Sequence, residues 1–262
     1  MGRFLSLILV LGIFLSGCGP AATSTSQART LNVFAAASLT DAFTEIGTNF
    51  EAANSGVTVT FNFAGSQALQ TQIEEGAPAD VFASANQTEM NALVTSDHVA
   101  EGTPQVFLTN KLVVIMPADN PAGLENLEEL ANSGVKLVIA AEEVPVGRYA
   151  RQALEVMNGQ FGANFSSTVL ANVVSNEDNV RQVFTKVQLG ESDAGIVYTS
   201  DAVAVPELKT IEIPTPLNVV AQYPIAPLTE SANSDLSEAF VAYVLSSEGQ
   251  SILEKWGFAP PE

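Results

Sequence analysis

From residue 31 onward, short runs rich in β-branched and aromatic residues alternate with stretches at helical spacing, and this constrains the fold more than any other feature. It is the pattern of α/β domains built on mostly parallel sheets. The runs expected as strands are 31–36, 57–63, 80–84, 104–109, 111–117, 135–140, 169–174, 194–198, 209–213 and 218–225. Helices fill most gaps between them. The first, about 39–53, places Leu39, Ala42, Phe43, Ile46 and Phe50 on one face, with Ser38 and Asp41 spaced as a capping-box pair. Another, about 179–189, aligns Val180, Val183, Phe184 and Val187 and stops at Gly190. Two more, about 235–246 and 248–255, close the chain. The apolar runs Leu112–Met116 and Val219–Ile225 bracket a central block of roughly a hundred residues and are expected to pair as hinge strands.

The segment ahead of this pattern reads as an export signal. Arg3 is followed by an apolar run from Phe4 to Leu15, too short to span a bilayer but suited to a signal-peptide core. It ends in Leu15-Ser16-Gly17-Cys18, which resembles the lipobox of bacterial lipoproteins, where cleavage precedes the Cys and that residue is lipidated. Residues 1–17 are therefore expected to be a lipoprotein signal peptide and Cys18 a lipid anchor. Residues 18–30, rich in small and polar side chains, are expected to form a flexible tether.

Charge and residue counts exclude several function classes. Ten Lys and Arg against 29 Asp and Glu give a net charge of -19, the opposite of a nucleic-acid-binding footprint and repulsive toward anionic membranes. One Cys and one His remove disulfide frameworks, Cys/His zinc sites and most imidazole chemistry. Acidic residues show no metal-ligand spacing, and no glycine-rich phosphate loop carries a Lys. Any chemistry must come from hydroxyls, amides and carboxylates.

Four strand-to-helix junctions supply such groups: Ala36-Ala37-Ser38, Ala64-Gly65-Ser66, Pro145-Val146-Gly147 and Asp178-Asn179-Val180. The first N–H groups of a helix lack internal partners and sit at the positive end of its dipole, so such junctions can hold an oxyanion without Lys or Arg. Each serine could equally be an ordinary N-cap. Asp178 is expected to cap its own helix. Arg148 could face an anion or solvent. Tyr198 ends the apolar strand Gly195-Ile196-Val197, where its hydroxyl could face a ligand crevice or be satisfied in the core. His98, among Ser96, Asp97 and Glu101, reads as an exposed turn residue, and Ser66 lacks the second glycine of a nucleophile elbow. An enzyme is not expected.

Taken in order, these junctions resemble the molybdate-binding proteins of bacterial ABC transporters. The resemblance runs through Val33–Ala42, Gly76–Ala85, Val144–Ala150, Val180–Val183 and Gly195–Ala202, and covers about residues 31–258. It implies an α/β fold of the two-domain periplasmic-binding-protein type (type II), with crossover hinge strands joining two lobes around a ligand cleft. Residues 31–111 plus 222–262 would form one lobe and 112–221 the other. It also implies ligand contacts from Ser38 and Ser66, from the Val146 and Val180 amides and from the Tyr198 phenol. Val146 stands where family members often have Ala, and Asn179 leaves the register before Val180 open by one residue. The implied function is capture of molybdate, and of tungstate with it, for a membrane permease, by an exported, lipid-anchored monomer with no cofactor, no cation ligand and no nucleic-acid partner. A receptor for sulfate or another oxyanion, and an exported hydrolase using Ser38 or Ser66, are the alternatives.

Overall fold

The computed structural model describes residues 28–261, so the signal segment, Cys18 and most of the tether lie outside the described residues. Among the described residues ten strands run in the order β1 (Arg29–Ala36), β2 (Val57–Ala64), β3 (Val81–Ala83), β4 (Gln105–Asn110), β5 (Leu112–Met116), β6 (Leu137–Ala140), β7 (Val173–Glu177), β8 (Ala194–Tyr198), β9 (Lys209–Glu212) and β10 (Ala221–Pro227). Nine α-helices are interleaved with them: α1 (Thr40–Ala53), α2 (Ser66–Glu74), α3 (Gln87–Thr95), α4 (Pro145–Phe161), α5 (Phe165–Ala171), α6 (Val180–Gln188), α7 (Thr199–Val203), α8 (Ser234–Leu245) and α9 (Ser247–Lys255).

The strands form two five-stranded sheets, ordered β2-β1-β3-β10-β4 and β7-β6-β8-β5-β9. Each has three parallel strands, β2-β1-β3 or β7-β6-β8, and continues through two antiparallel pairings, to β10 and then β4 or to β5 and then β9. The helices bury one face each. In α1, Ala42, Phe43, Ile46 and Phe50 turn inward, and Phe43 meets Phe107 at 5.9 Å and Phe240 at 6.0 Å between ring centres. Such tilted and edge-on contacts add to area burial and fix α1, and the turn before it, against the first sheet.

The expected pairing of Leu112–Met116 with Val219–Ile225 does not occur. β5 pairs with β8 and β9 in the second sheet, whereas β10 pairs with β3 and β4 in the first. The chain crosses between sheets at 110–112 and again at 218–221. Asn218 ties the crossings together: its side chain accepts from Leu112 N at 3.0 Å and donates to Leu112 O at 2.8 Å, standing in for a missing strand partner. The strand expected over 169–174 is displaced as well. Val169 and Leu170 end helix α5, where Phe165 and Val169 share its buried face, and β7 starts only at Val173. One apolar run spans a helix end and a strand start, and periodicity cannot divide it.

Candidate oxyanion site

All five residues expected to bind ligand line one cavity between the two sheets, together with Ala36, Ala37, Ala64, Gly65, Ala85, Val144, Pro145 and Asn179. None of these lining residues is charged. The space open to the centre of a water molecule is about 20 Å³, room for one small polyatomic group and far below the roughly 300–1,000 Å³ of pockets for drug-sized ligands.

Each wall is the start of a helix. Ser38 lies in a 3-10 turn (Ala37–Leu39) between β1 and α1, and neither Ser38 nor Asp41 caps by its side chain, so the expected capping box is absent. Ser38 Oγ lies instead 2.9 Å from the Tyr223 hydroxyl, and Asp41 pairs with Arg181 of the other lobe. Ser66 is the first residue of α2, not its cap; its Oγ accepts from Ala85 N at 3.0 Å, which leaves the hydroxyl proton free to point elsewhere.

On the opposite wall, Val146 follows Pro145 at the start of α4, a position where proline loses nothing because its N–H would be orphaned anyway. A Cβ on Gly147 would fall 2.0 Å from Ala141 O, so glycine lets this helix start sit directly over the end of β6. Val180 opens α6, and the cap is Asn179, whose side chain accepts from Gln182 N at 3.1 Å. Asp178 is therefore not the cap. It lies outside the cavity lining, and its carbonyl accepts from Gln67 Nε2 at 3.1 Å across the cleft. A Cβ on Gly65 would meet that same carbonyl at 2.6 Å, so Gly65 allows the lobes to approach here.

Tyr198 ends β8 with its side chain buried and its hydroxyl without a hydrogen-bond partner among the described residues. A buried phenol is costly to leave unpaired, and one lining a cavity points to an absent acceptor. Burial holds its pKa well above the ordinary tyrosine range, so it stays a donor.

The nearby cations are engaged with carboxylates. Arg148 reaches neither solvent alone nor the cavity: its Nη2 lies 3.3 Å from Glu89 and 3.2 Å from Glu143 O. Arg181, beside Val180, donates to Asp41 and to Ala37 O, with Asp201 Oδ1 3.6 Å from Nε. Burial pushes the Asp201 carboxyl up to about 7 against the opposing pull of Arg181. Sequence reasoning missed Arg181, Asp201 and Tyr223. Asp201 had a signal, since it stands three residues after Tyr198 and its carboxylate accepts from Tyr198 N at 3.2 Å, half of a capping box. His98 is half-buried rather than exposed and lines a separate hollow with Pro78 and Glu230; no imidazole lines the cavity.

Residues 31–259 match the family described as bacterial extracellular solute-binding protein. The molybdate-binding protein ModA of Mycobacterium tuberculosis strain H37Rv is 40% identical over 261 residues, which cover 98% of this chain and 96% of the relative. Two solved structures share the fold. The Azotobacter vinelandii periplasmic molybdate-binding protein has a TM-score of 0.78 at 20% identity, covering 88% of this chain and 100% of that one. The sulfate-binding protein SubI of Mycobacterium tuberculosis H37Rv has a TM-score of 0.79 at 15% identity, covering 89% and 88%. Fold similarity is thus equal toward receptors named for two different oxyanions.

Proposed function

The chain belongs to the bacterial extracellular solute-binding proteins, and from its likeness to their molybdate-binding members we propose that it captures molybdate, and tungstate with it, for an ABC importer. One observation carries the reading: five donors far apart in sequence converge on one small uncharged cavity, and one of them, the Tyr198 hydroxyl, is buried without a hydrogen-bond partner among the described residues. The lining offers hydroxyl and amide protons and no carboxylate, so a fully deprotonated tetrahedral dianion can accept at every oxygen. An oxyanion carrying a proton finds no carboxylate to accept it, only hydroxyl oxygens whose own protons the ion needs, and an O–H left unsatisfied costs roughly 1–3 kcal/mol. The alanines lining the first lobe's side set the width of the space. Sulfate is the second reading, because a sulfate-binding protein shares this fold as closely.

The reading has no catalytic step and no resident cofactor. Holding the ion between two lobes separates it from water, and opening at a membrane permease releases it. Cys18 is proposed as a lipid anchor that keeps the mature chain at the membrane surface; fatty-acid labelling of the wild type and of Cys18→Ser tests this. The ligand assignment is tested by titration calorimetry of the mature protein with molybdate, tungstate, sulfate and phosphate. Tight molybdate and tungstate binding is expected; a flat molybdate trace with a clear sulfate isotherm would transfer the protein to the second reading.

A further inference from the structure

Arg181 follows Val180 at the start of α6, and its guanidinium lies over the Phe184 ring of the same helix, 5.7 Å from the ring centre. Three acceptors surround it. Two belong to the first lobe: Nη2 donates to Asp41, and Nε donates to Ala37 O at 3.3 Å. The third is Asp201 of its own lobe, in α7 just after β8, whose Oδ1 lies 3.6 Å from the same Nε. An arginine Nε carries one proton. That proton points at Ala37 O, so Asp201 Oδ1 receives none.

Asp201 is thereby left half-satisfied. Its Oδ2 accepts from Tyr198 N at 3.2 Å, whereas Oδ1 is buried with no hydrogen-bond partner among the described residues. A buried carboxylate oxygen without a donor is costly, and the cation beside it is held away by the other lobe. The bond to Tyr198 N does not need a charge, since an asparagine oxygen accepts as well. What the charge adds is a second claim on Arg181. When the lobes part, Asp41 and Ala37 leave with the first lobe and the Nε proton is free to turn onto Asp201 Oδ1. Closing the present 3.6 Å to an ordinary hydrogen bond takes a shift of about 0.7 Å. Opening therefore satisfies the oxygen that closure leaves bare.

We propose that Asp201 is a positioning residue for release: from within the second lobe it competes for the guanidinium that clasps the first, and so speeds opening and the departure of the ion. This rests on the oxyanion-receptor reading above. Any bond made only in the open form shifts the equilibrium away from the closed one, so Asp201 holds affinity below what the cavity donors alone would give.

The test is calorimetry and stopped-flow kinetics with molybdate on the wild type, Asp201→Asn and Asp41→Asn. At pH 8 the Asp201 carboxylate, raised to about 7 by burial, is charged. Asp201→Asn keeps an acceptor for Tyr198 N and removes the competing charge; it is expected to bind molybdate about 3- to 10-fold more tightly, through slower dissociation with little change in association. Asp41→Asn, which removes the first lobe's claim, is expected to shift dissociation the opposite way. A residue that merely supported the site would instead lose affinity when altered. Equal or faster dissociation from Asp201→Asn would overturn the proposal, and so would an Asp201→Asn chain that fails to fold, since the fold would then need the charge. Small-angle scattering without any ion judges the competition separately: Asp201→Asn is expected to be more compact than Asp41→Asn, and equal profiles would overturn the proposal. A wild type that binds no molybdate would overturn the receptor reading itself and leave the scattering comparison standing.

Discussion

Arg148 Nη2 lies 3.3 Å from Glu89 Oε1, and this contact joins the helix start that presents the Val146 amide to the first helix beyond β3 in the other lobe. The Arg181–Asp41 pair does the same beside Val180. Each arginine next to a cavity-lining helix start in the second lobe is thus turned onto a carboxylate of the first. These two cations clasp the lobes and stay out of the cavity lining. Glu89 is buried and its carboxyl is pushed upward by that burial, against the pull of its own backbone amide and of Arg148. Arg148 is itself 39% exposed, so screening keeps the pair's contribution small. Arg148→Ala should weaken molybdate binding about 2- to 5-fold. Isotherms at low and high salt check this, and the wild-type advantage should shrink as salt rises.

The serines should matter more. Ser38→Ala or Ser66→Ala removes a hydroxyl donor to a charged oxygen, and affinity should fall about 10- to 150-fold, or roughly 1.5–3 kcal/mol. The stability costs differ from those of a lost helix cap. Ser66→Ala strips the Ala85 amide of its acceptor in a buried setting, at about 1–3 kcal/mol in chemical denaturation.

Most of the architecture is legible in the chain because hydrophobic period and junction chemistry are local signals. Strand–helix alternation locates nine of the ten strands to within a few residues. The displaced strand at 169–174 comes from one apolar run shared by a helix end and a strand start, but the failures at the site and the hinge share another cause. Ser38 and Asp41 have the spacing of a capping box, but each finds a better partner far along the chain, Tyr223 and Arg181. The hinge runs read as a pair because both are apolar, yet each pairs within its own sheet and the link is made by the Asn218 carboxamide. Tyr223 reads as one more apolar position on a strand, since only the fold brings its hydroxyl to Ser38.

Closure should be sensitive to a single methyl group. In Gly65→Ala the added Cβ would lie 2.6 Å from Asp178 O, a backbone atom that can move only if the lobes part. Affinity should fall at least about 10-fold. Small-angle scattering at saturating molybdate should give a larger radius of gyration than for the wild type, while the ligand-free melting temperature stays close to it.

Asp201 should make stability depend on pH. It faces Arg181, Asp41 and the phenols of Tyr198 and Tyr223, and its folded pKa of about 7 is far above the 3.8 of a free aspartate. A carboxyl raised in the folded state stabilises the fold while protonated. The contribution is fully present below about pH 4 and is lost as pH rises to about 7. Asp201→Asn should flatten this part of the stability profile, as read by denaturant melts across pH 4–8. An unaltered profile would mean that Arg181 fully compensates the buried charge.

The claim that neutral donors alone hold the ion is open to direct observation by anomalous diffraction at the molybdenum edge on crystals of the molybdate complex. One strong peak is predicted in the cavity bounded by Ser38, Ser66, Val146, Val180 and Tyr198. Hydroxyl and amide donors should stand about 2.7–3.0 Å from its oxygens, and Arg148 and Arg181 should remain on Glu89 and Asp41. A peak outside this cavity, or an arginine that has left its carboxylate to coordinate the ion, would contradict it.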